Sequence, residues 1–280
     1  MHGHSFRLTI FPLLFLLAGF GWHGAEAAES RNWEARLPYT HFDAVCLAVE
    51  DLQQTYGQAY SVDAEKLAEL RRAEKESTVM AEKARAGDTA AVDCLTRWLD
   101  LAEEALRKNP LLNFDRLLLL KRSENQLGLP QNWESNSTIP LSGFDNELAL
   151  LSPLSDGSVI PLYRPEKDVF VGDVDLHFDA ETLLFSMPGD NGRWQIHELS
   201  LSDKQVRQLP LIYEPDVDNY DACYLPDGDI LFTSTAPFVG VPCVTGSSHV
   251  SNIYRYRVAD GSIRRLTFEP YHDWCPTVLN

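Results

Sequence analysis

The chain has 280 residues, of which 44% are hydrophobic and 23% charged, a composition typical of a globular protein with a sizeable core. The formal net charge of -17 argues against a nucleic-acid partner, because nucleic-acid binding calls for a basic face. We therefore expect no nucleic acid among its partners.

The first 27 residues have the features of an export signal. Arg7 precedes the apolar run LTIFPLLFLLAGF, and Ala25-Glu26-Ala27 gives a small-x-small cleavage pattern. The run is short for a membrane span, although an uncleaved anchor is the alternative, and no other segment is apolar enough to span a bilayer. We expect a signal peptide over residues 1–27, a periplasmic or extracellular location, and no stable membrane span after cleavage.

A helical region is predicted next. Residues 28–60 are expected to be extended or irregular, and residues 61–122 to form an α-helical hairpin with a following strand, FDRLLLLKR. Gly87 and Asp88 stop one helix and cap the next. Apolar residues recur at helical steps in two stripes: Leu67, Leu70, Ala73, Met80 and Ala84, then Val92, Leu95, Leu99, Ala102 and Leu106. Residues 123–146 are rich in Ser, Asn, Gly and Pro, which predicts a linker.

A repeat of short strands follows Glu147. DVDLHFDAETLLFSM is similar to NYDACYLPDGDILFTST, and WQIHELSLSDKQVRQLP is similar to NIYRYRVADGSIRRLTF. HDWCPTVLN begins a third copy, in which we match Cys275 with Cys223. A period in the forties with four strands predicts β-propeller blades. The expected fold is mainly β with an N-terminal α-helical hairpin and a partial β-propeller over residues 147–280. It comprises two blades plus the start of a third, as in a truncated protein or fragment.

An insertion interrupts the second repeat. Phe185 and Phe232 lie 47 residues apart, whereas Leu209 and Leu266 lie 57 apart. The extra chain is placed at residues 236–248, which we expect to lie over one face and to carry any ligand contact.

Two groups of side chains are candidate metal ligands, and no catalytic residue is predicted, since GxSxG is absent. Zinc, or a haem held by another region or partner, suits the set Cys243, His249, His272, Asp273 and Cys275. The alternatives are a Cys223–Cys243 disulfide that pins the insertion and a buried free Cys275. Calcium suits Asp216, Asp218 and Asp221, whose alternative role is to cap backbone N–H groups between blades. No CxxCH is present, so we expect no covalent haem in this chain.

Several motifs resemble one family. DVDNYDACYLPDG, LFTSTAPFVGVPCV, SSHVSNIYR, IRRLTFE and HDWCPTVLN are similar to exported planctomycete proteins related to the middle domain of the hydrazine synthase alpha subunit. The resemblance covers residues 109–280 and implies a WD40-like propeller of the TolB kind, joined in those proteins to cytochrome-like parts. Pro237 stands where many relatives have a cysteine.

Two functions follow from these patterns. The first is an exported, non-catalytic β-propeller module that serves as a scaffold or interaction surface for a protein partner. The alternative is part of a periplasmic haem-dependent redox enzyme, whose haem-binding, C-terminal cytochrome-like region is missing from this chain.

Overall fold

The computed structural model describes residues 32–131, 134–153, 157–241 and 248–279, which form two compact units. The first unit ends at Asp115 and is helical, whereas the second begins at Arg116 and is built from β-strands. The expected signal peptide lies outside the described residues. Within the four described ranges, no helix has both the length and the apolar character that a membrane crossing requires.

The helical unit contains the predicted hairpin. Its helices are α1 (Trp33–Arg36), α2 (Phe42–Tyr56), α3 (Ala64–Arg85) and α4 (Thr89–Arg107). Gly87 adopts a φ of 93° after α3, and the Asp88 carboxylate accepts the N–H groups of Ala90 and Ala91 at 3.0 and 3.2 Å. The two predicted stripes face a core centred on Leu70, Leu95 and Trp98, all fully buried. The helical hairpin is therefore confirmed.

The extended segment expected for residues 28–60 is wrong, because α1 and α2 lie there. Helix α2 buries Phe42, Val45, Val49 and Leu52, which recur at steps of three and four residues. Its N-cap, His41, makes no side-chain capping bond. The helix therefore carries a weak local start signal and depends on packing against α3 and α4.

The β unit contains three antiparallel sheets within its described residues. The first is three-stranded, and the other two are four-stranded meanders with the strand order of propeller blades. The first sheet consists of β1 (Leu117–Lys121), β2 (Glu147–Leu151) and β3 (Val159–Tyr163). The first blade consists of β4 (Gly172–Leu176), β5 (Thr182–Pro188), β6 (Trp194–Ser200) and β7 (Val206–Gln208). The second blade consists of β8 (Asn219–Tyr224), β9 (Ile230–Ser234), β10 (Asn252–Tyr256) and β11 (Ile263–Arg265).

The two predicted blades are confirmed, and they stack through an apolar core. Leu184 and Ile196 of the first blade pack with Phe232, Tyr254 and Tyr256 of the second. The start of a third blade is present only as a segment without a ladder. Residues 271–279 form no strand, although they lie against the second blade.

Strand β1 belongs to the β unit, so the boundary predicted at residue 122 is wrong. The strand pairs along its whole length with β2, from Leu117 opposite Leu151 to Lys121 opposite Glu147. A strand must satisfy its backbone groups with a partner, and here the partner comes from beyond the supposed linker.

The predicted linker is packed into the β unit over its described residues. Asn136, Ile139 and Phe144 are buried, and the Phe144 ring lies edge-on to Phe170 at a centroid distance of 5.3 Å. Phe170 in turn lies edge-on to Trp194 at 5.0 Å. Turn-forming residues predict irregular backbone correctly, but irregular backbone can still be fixed by aromatic packing.

Candidate functional site

The second blade is attached to the first by polar side chains that precede or begin β8. Asp218 is buried, and its carboxylate accepts the Trp194 N–H at 3.0 Å and pairs with the Arg193 guanidinium at 2.5 Å. Burial raises the pKa of Asp218, while the Arg193 charge and the Trp194 N–H act in the opposite direction. The next residue, Asn219, donates to the Gln195 side chain at 3.1 Å. Asp218 thus has the capping role that was the alternative to calcium binding.

The same pattern of bonds recurs one repeat later. His272 Nδ1 accepts the Ser251 N–H at 3.1 Å, and the Asp273 carboxylate accepts from the Asn252 side chain at 3.1 Å. Ser251 and Asn252 lie three and two residues before Tyr254, the partner of Phe232, as Trp194 and Gln195 lie before His197, the partner of Phe185. His272 and Asp273 are therefore the equivalents of Asp218 and Asn219. We call residues 272–278 the third-repeat segment, because they dock on the second blade as the start of β8 docks on the first.

This correspondence corrects the alignment of the third copy. Asp173, Asp221 and Cys275 each have a positive φ, of 49°, 57° and 53°, which a residue with a side chain rarely adopts. In the two blades, this residue lies at a register shift of the first strand pair. Cys275 therefore matches Asp221, and the match with Cys223 was wrong by two residues. A slip of two keeps side chains on the same face, so the cysteine-to-cysteine match fitted the strand pattern equally well.

Asp173 and Asp221 are the centre of a polar cluster, in which the sequence analysis singled out Asp221 and Cys275 but not Asp173. The Asn136 side chain donates to the Asp173 carboxylate at 2.6 Å, Ser186 also bonds it, and the charge of Arg122 acts on it. The Asp221 N–H donates to Ser186 Oγ at 2.9 Å. Burial, and then the nearby Asp221 charge, raises the pKa of Asp173 to about 6. The cluster therefore holds one carboxyl group that titrates near neutral pH.

Cys275 completes this cluster from the third-repeat segment. Its thiol and its backbone N–H both hydrogen-bond to the Asp221 carboxylate. Partial burial and the carboxylate raise the pKa of the Cys275 thiol to about 12. Cys275 is a free cysteine, as in the alternative to metal binding, but it is exposed where that alternative had it buried. It stays protonated at neutral pH and is a weak nucleophile, because the thiolate is the reactive form.

The predicted metal ligands have other partners in the structure. In the described part of the chain, no three His, Cys, Asp or Glu side chains are grouped as a metal ion would require. His249 lies edge-on to Phe238, at a centroid distance of 5.5 Å, and His272 and Asp273 are used in docking. The Asp216 carbonyl lies 3.5 Å from the Arg193 guanidinium. Zinc, calcium and a haem held elsewhere stay predictions.

The insertion is described at its two ends, residues 236–241 and 248. The Val241 N–H donates to the Ser248 carbonyl at 3.1 Å, and the Val250 N–H to that of Val239 at 2.7 Å. The Ser248 hydroxyl donates to Glu134 at 2.6 Å. Cys243 lies outside the described residues, and Cys223 is a free, buried thiol whose pKa burial raises to about 11. The disulfide between them stays a prediction.

Gly172 packs against the cluster in a way that excludes a larger residue. A Cβ atom at this position would lie 2.3 Å from Phe170 Cζ and 3.0 Å from the Arg122 guanidinium. The Arg122 guanidinium also lies over the Phe170 ring, 5.6 Å from its centroid. Arg122, Asn136 and Ser186 come together only in the folded chain. The one sequence signal is that Asp173 recurs as Asp221, 48 residues later.

The blades and their docking bonds define a partial β-propeller module. No family model matches the chain, and no curated protein does. Among solved structures, it is similar to TolB from Acinetobacter baumannii, with 26% identity, 45% of this chain and 27% of that chain covered, and a TM-score of 0.32. The putative TolB from Agrobacterium tumefaciens is 17% identical, with 59% of this chain and 49% of that chain covered and a TM-score of 0.39. An oligogalacturonate lyase in complex with manganese is 12% identical, with 55% of this chain and 38% of that chain covered and a TM-score of 0.36. The chain spans between 27% and 49% of the length of these structures.

Proposed function

We propose that this protein is an exported β-propeller module that acts as a scaffold or interaction surface. One observation carries the proposal: the polar residues that mark the repeats are used to dock one repeat on the next. Asp218 caps the Trp194 N–H, His272 accepts from Ser251, and Asp273 accepts from Asn252. These groups fix the geometry of the repeats, and a rigid array of repeats is suited to presenting surface to a partner.

Export is supported by two features of the sequence. Residues 1–27 have a basic start, an apolar run and the Ala25-Glu26-Ala27 cleavage pattern. The motifs of the second blade resemble those of exported planctomycete proteins. The propeller would then meet its partners in the periplasm or outside the cell.

The test is proximity labelling in the exporting host. The full chain is fused to a promiscuous biotin ligase, and a secreted protein of similar size with the same residues 1–27 serves as the control. We expect a reproducible set of exported proteins to be enriched at least about tenfold over the control. Failure to enrich any exported protein would overturn the scaffold proposal. A haem absorption band in the purified full chain would favour the redox alternative instead.

A further inference from the structure

We propose that Asn191 deamidates spontaneously in the folded protein and that the product weakens the attachment of the second blade to the first. Asn191 and Gly192 form the one Asn-Gly pair of the sequence, and they lie in the turn between β5 and β6. This inference goes beyond the proposed function and does not depend on a scaffold role.

The reaction uses the backbone of the chain itself. The Gly192 backbone nitrogen attacks the side-chain carbonyl carbon of Asn191, the C–N bond of the side-chain amide breaks, and a cyclic imide forms. The proton of the Gly192 nitrogen leaves with the amide nitrogen as ammonia. Water then opens the imide at either of its carbonyl groups, which gives aspartate or isoaspartate at position 191. Glycine hinders this attack least, because it has no Cβ atom.

The turn brings the reacting groups close together. The Asn191 side-chain oxygen accepts the Arg193 N–H at 3.1 Å, so the side chain folds over the backbone of the intervening Gly192. Gly192 has a φ of 69°, and a Cβ atom built there would meet nothing within 4 Å. Asp190 and Gly192 are exposed and Asn191 is partly exposed, so water can reach the imide.

One hydrogen bond must open before the ring can close. The Gly192 N–H donates to the Gly189 carbonyl at 2.9 Å, and the nitrogen can attack only after this bond breaks. Residues 190–192 are not buried, so opening the turn removes no side chain from the core. Its free-energy cost is therefore that of a local fluctuation and not that of global unfolding. We expect the folded chain to react at a rate set by the opening of this turn.

The modified residue lies at the joint between the blades. The Asn191 amide group donates to the Glu214 carbonyl at 3.4 Å, in the connection between β7 and β8, and deamidation removes this donor. Isoaspartate also adds one carbon atom to the backbone of a turn in which the Gly189 N–H donates to the Arg193 carbonyl at 2.9 Å. Arg193 pairs with the buried Asp218 carboxylate just before β8. A longer turn displaces Arg193 and leaves that buried charge with less compensation.

Peptide mass spectrometry of the full chain, aged in mildly alkaline buffer, tests the modification. Asn136 is the matched control: a small residue, Ser137, also follows it, but Asn136 is 1% exposed and its amide donates to Asp173 at 2.6 Å. Relative to the chain unfolded in urea, folding should slow deamidation of Asn191 by no more than about tenfold and that of Asn136 by at least about a hundredfold. Protection of Asn191 as strong as that of Asn136 would overturn the inference.

Asn191→Gln tests the effect on the joint, because the longer glutamine side chain closes the corresponding ring far more slowly. As modified Asn191 accumulates, the urea midpoint of the unsubstituted chain should fall, whereas that of Asn191→Gln, aged in parallel, should keep its starting value. An unchanged midpoint once most of Asn191 is converted would overturn the link to the blade joint. A fall of equal size in Asn191→Gln would assign the loss to other ageing reactions and would also overturn it.

Discussion

His197 should make the β unit less stable in mild acid. The side chain lies in β6, is 6% exposed, and stacks on the Phe185 ring at a centroid distance of 5.5 Å. Burial lowers the pKa of His197 to about 4, and a hydrogen bond with the Gln195 backbone and the Asp190 charge oppose this shift only in part. The folded protein therefore keeps the imidazole neutral at a pH at which the unfolded chain protonates it.

The sign and size of the effect follow from linkage. Because the folded pKa lies below the unfolded value of about 6.5, the full stability is present above that value and is lost as the pH falls toward 4. Two and a half pKa units correspond to about 3 kcal/mol, reached near pH 4, and the loss at pH 5 is about 2 kcal/mol.

The assay is urea unfolding of the full chain at several pH values between 7.5 and 5, followed by tryptophan fluorescence. His197→Phe removes the titrating group and keeps an aromatic ring against Phe185, and His41→Phe, at an exposed position before α2, is the matched control. The free energy of unfolding of the unsubstituted chain should fall relative to His197→Phe by about 2 kcal/mol between pH 7.5 and 5. Other titrating groups cancel in this comparison. A difference that does not change with pH would refute the buried neutral imidazole.

Three further predictions concern the polar cluster. Gly172→Ala should lower the free energy of unfolding by about 2 kcal/mol, because the added Cβ overpacks against the Phe170 ring. Gly240→Ala is the control, since a Cβ there meets nothing within 4 Å, and it should change the free energy of unfolding by less than about 0.5 kcal/mol. The raised pKa of Asp173 means that its stability contribution is present below its unfolded pKa and lost as the pH rises through about 6. As the pH rises from 4.5 to 8, the free energy of unfolding of Asp173→Asn should therefore increase relative to that of the unsubstituted chain. If the difference between the two, measured by urea unfolding, does not change with pH, the prediction is contradicted. Asp221→Asn should lower the pKa of the Cys275 thiol, since the carboxylate contributes to raising it. Alkylation of Cys275, measured by peptide mass spectrometry, should become about tenfold faster for each unit by which the pKa falls. An unchanged rate would mean that the Asp221 carboxylate does not stabilise the protonated thiol.

The features predicted correctly from the sequence are those set by local pattern. Gly87 and Asp88 divide two amphipathic stripes, and the chain ends one helix and caps the next there. Asp227-Gly228 supplies the positive φ, 86° at Gly228, of a turn in the second blade. In such places, the physical cause lies within a few residues, so the sequence displays it directly.

The features predicted wrongly depend on distant partners. Helix α2 has a weak N-cap and is held by packing, and β1 needs β2 from across the supposed linker. Asn136 gains its role only because Asp173 lies 37 positions later and is brought within 2.6 Å. No periodicity marks such a pair, and a single sequence gives no other signal for it.

The joint between repeats requires a lone pair at a fixed place and not a negative charge. A carboxylate oxygen serves at Asp218 and an imidazole nitrogen serves at His272, because each accepts a backbone N–H from the blade before it. The Asp218 joint also carries an ion pair with Arg193. A repeat can therefore keep its attachment to the blade before it while the charge of the attaching residue changes.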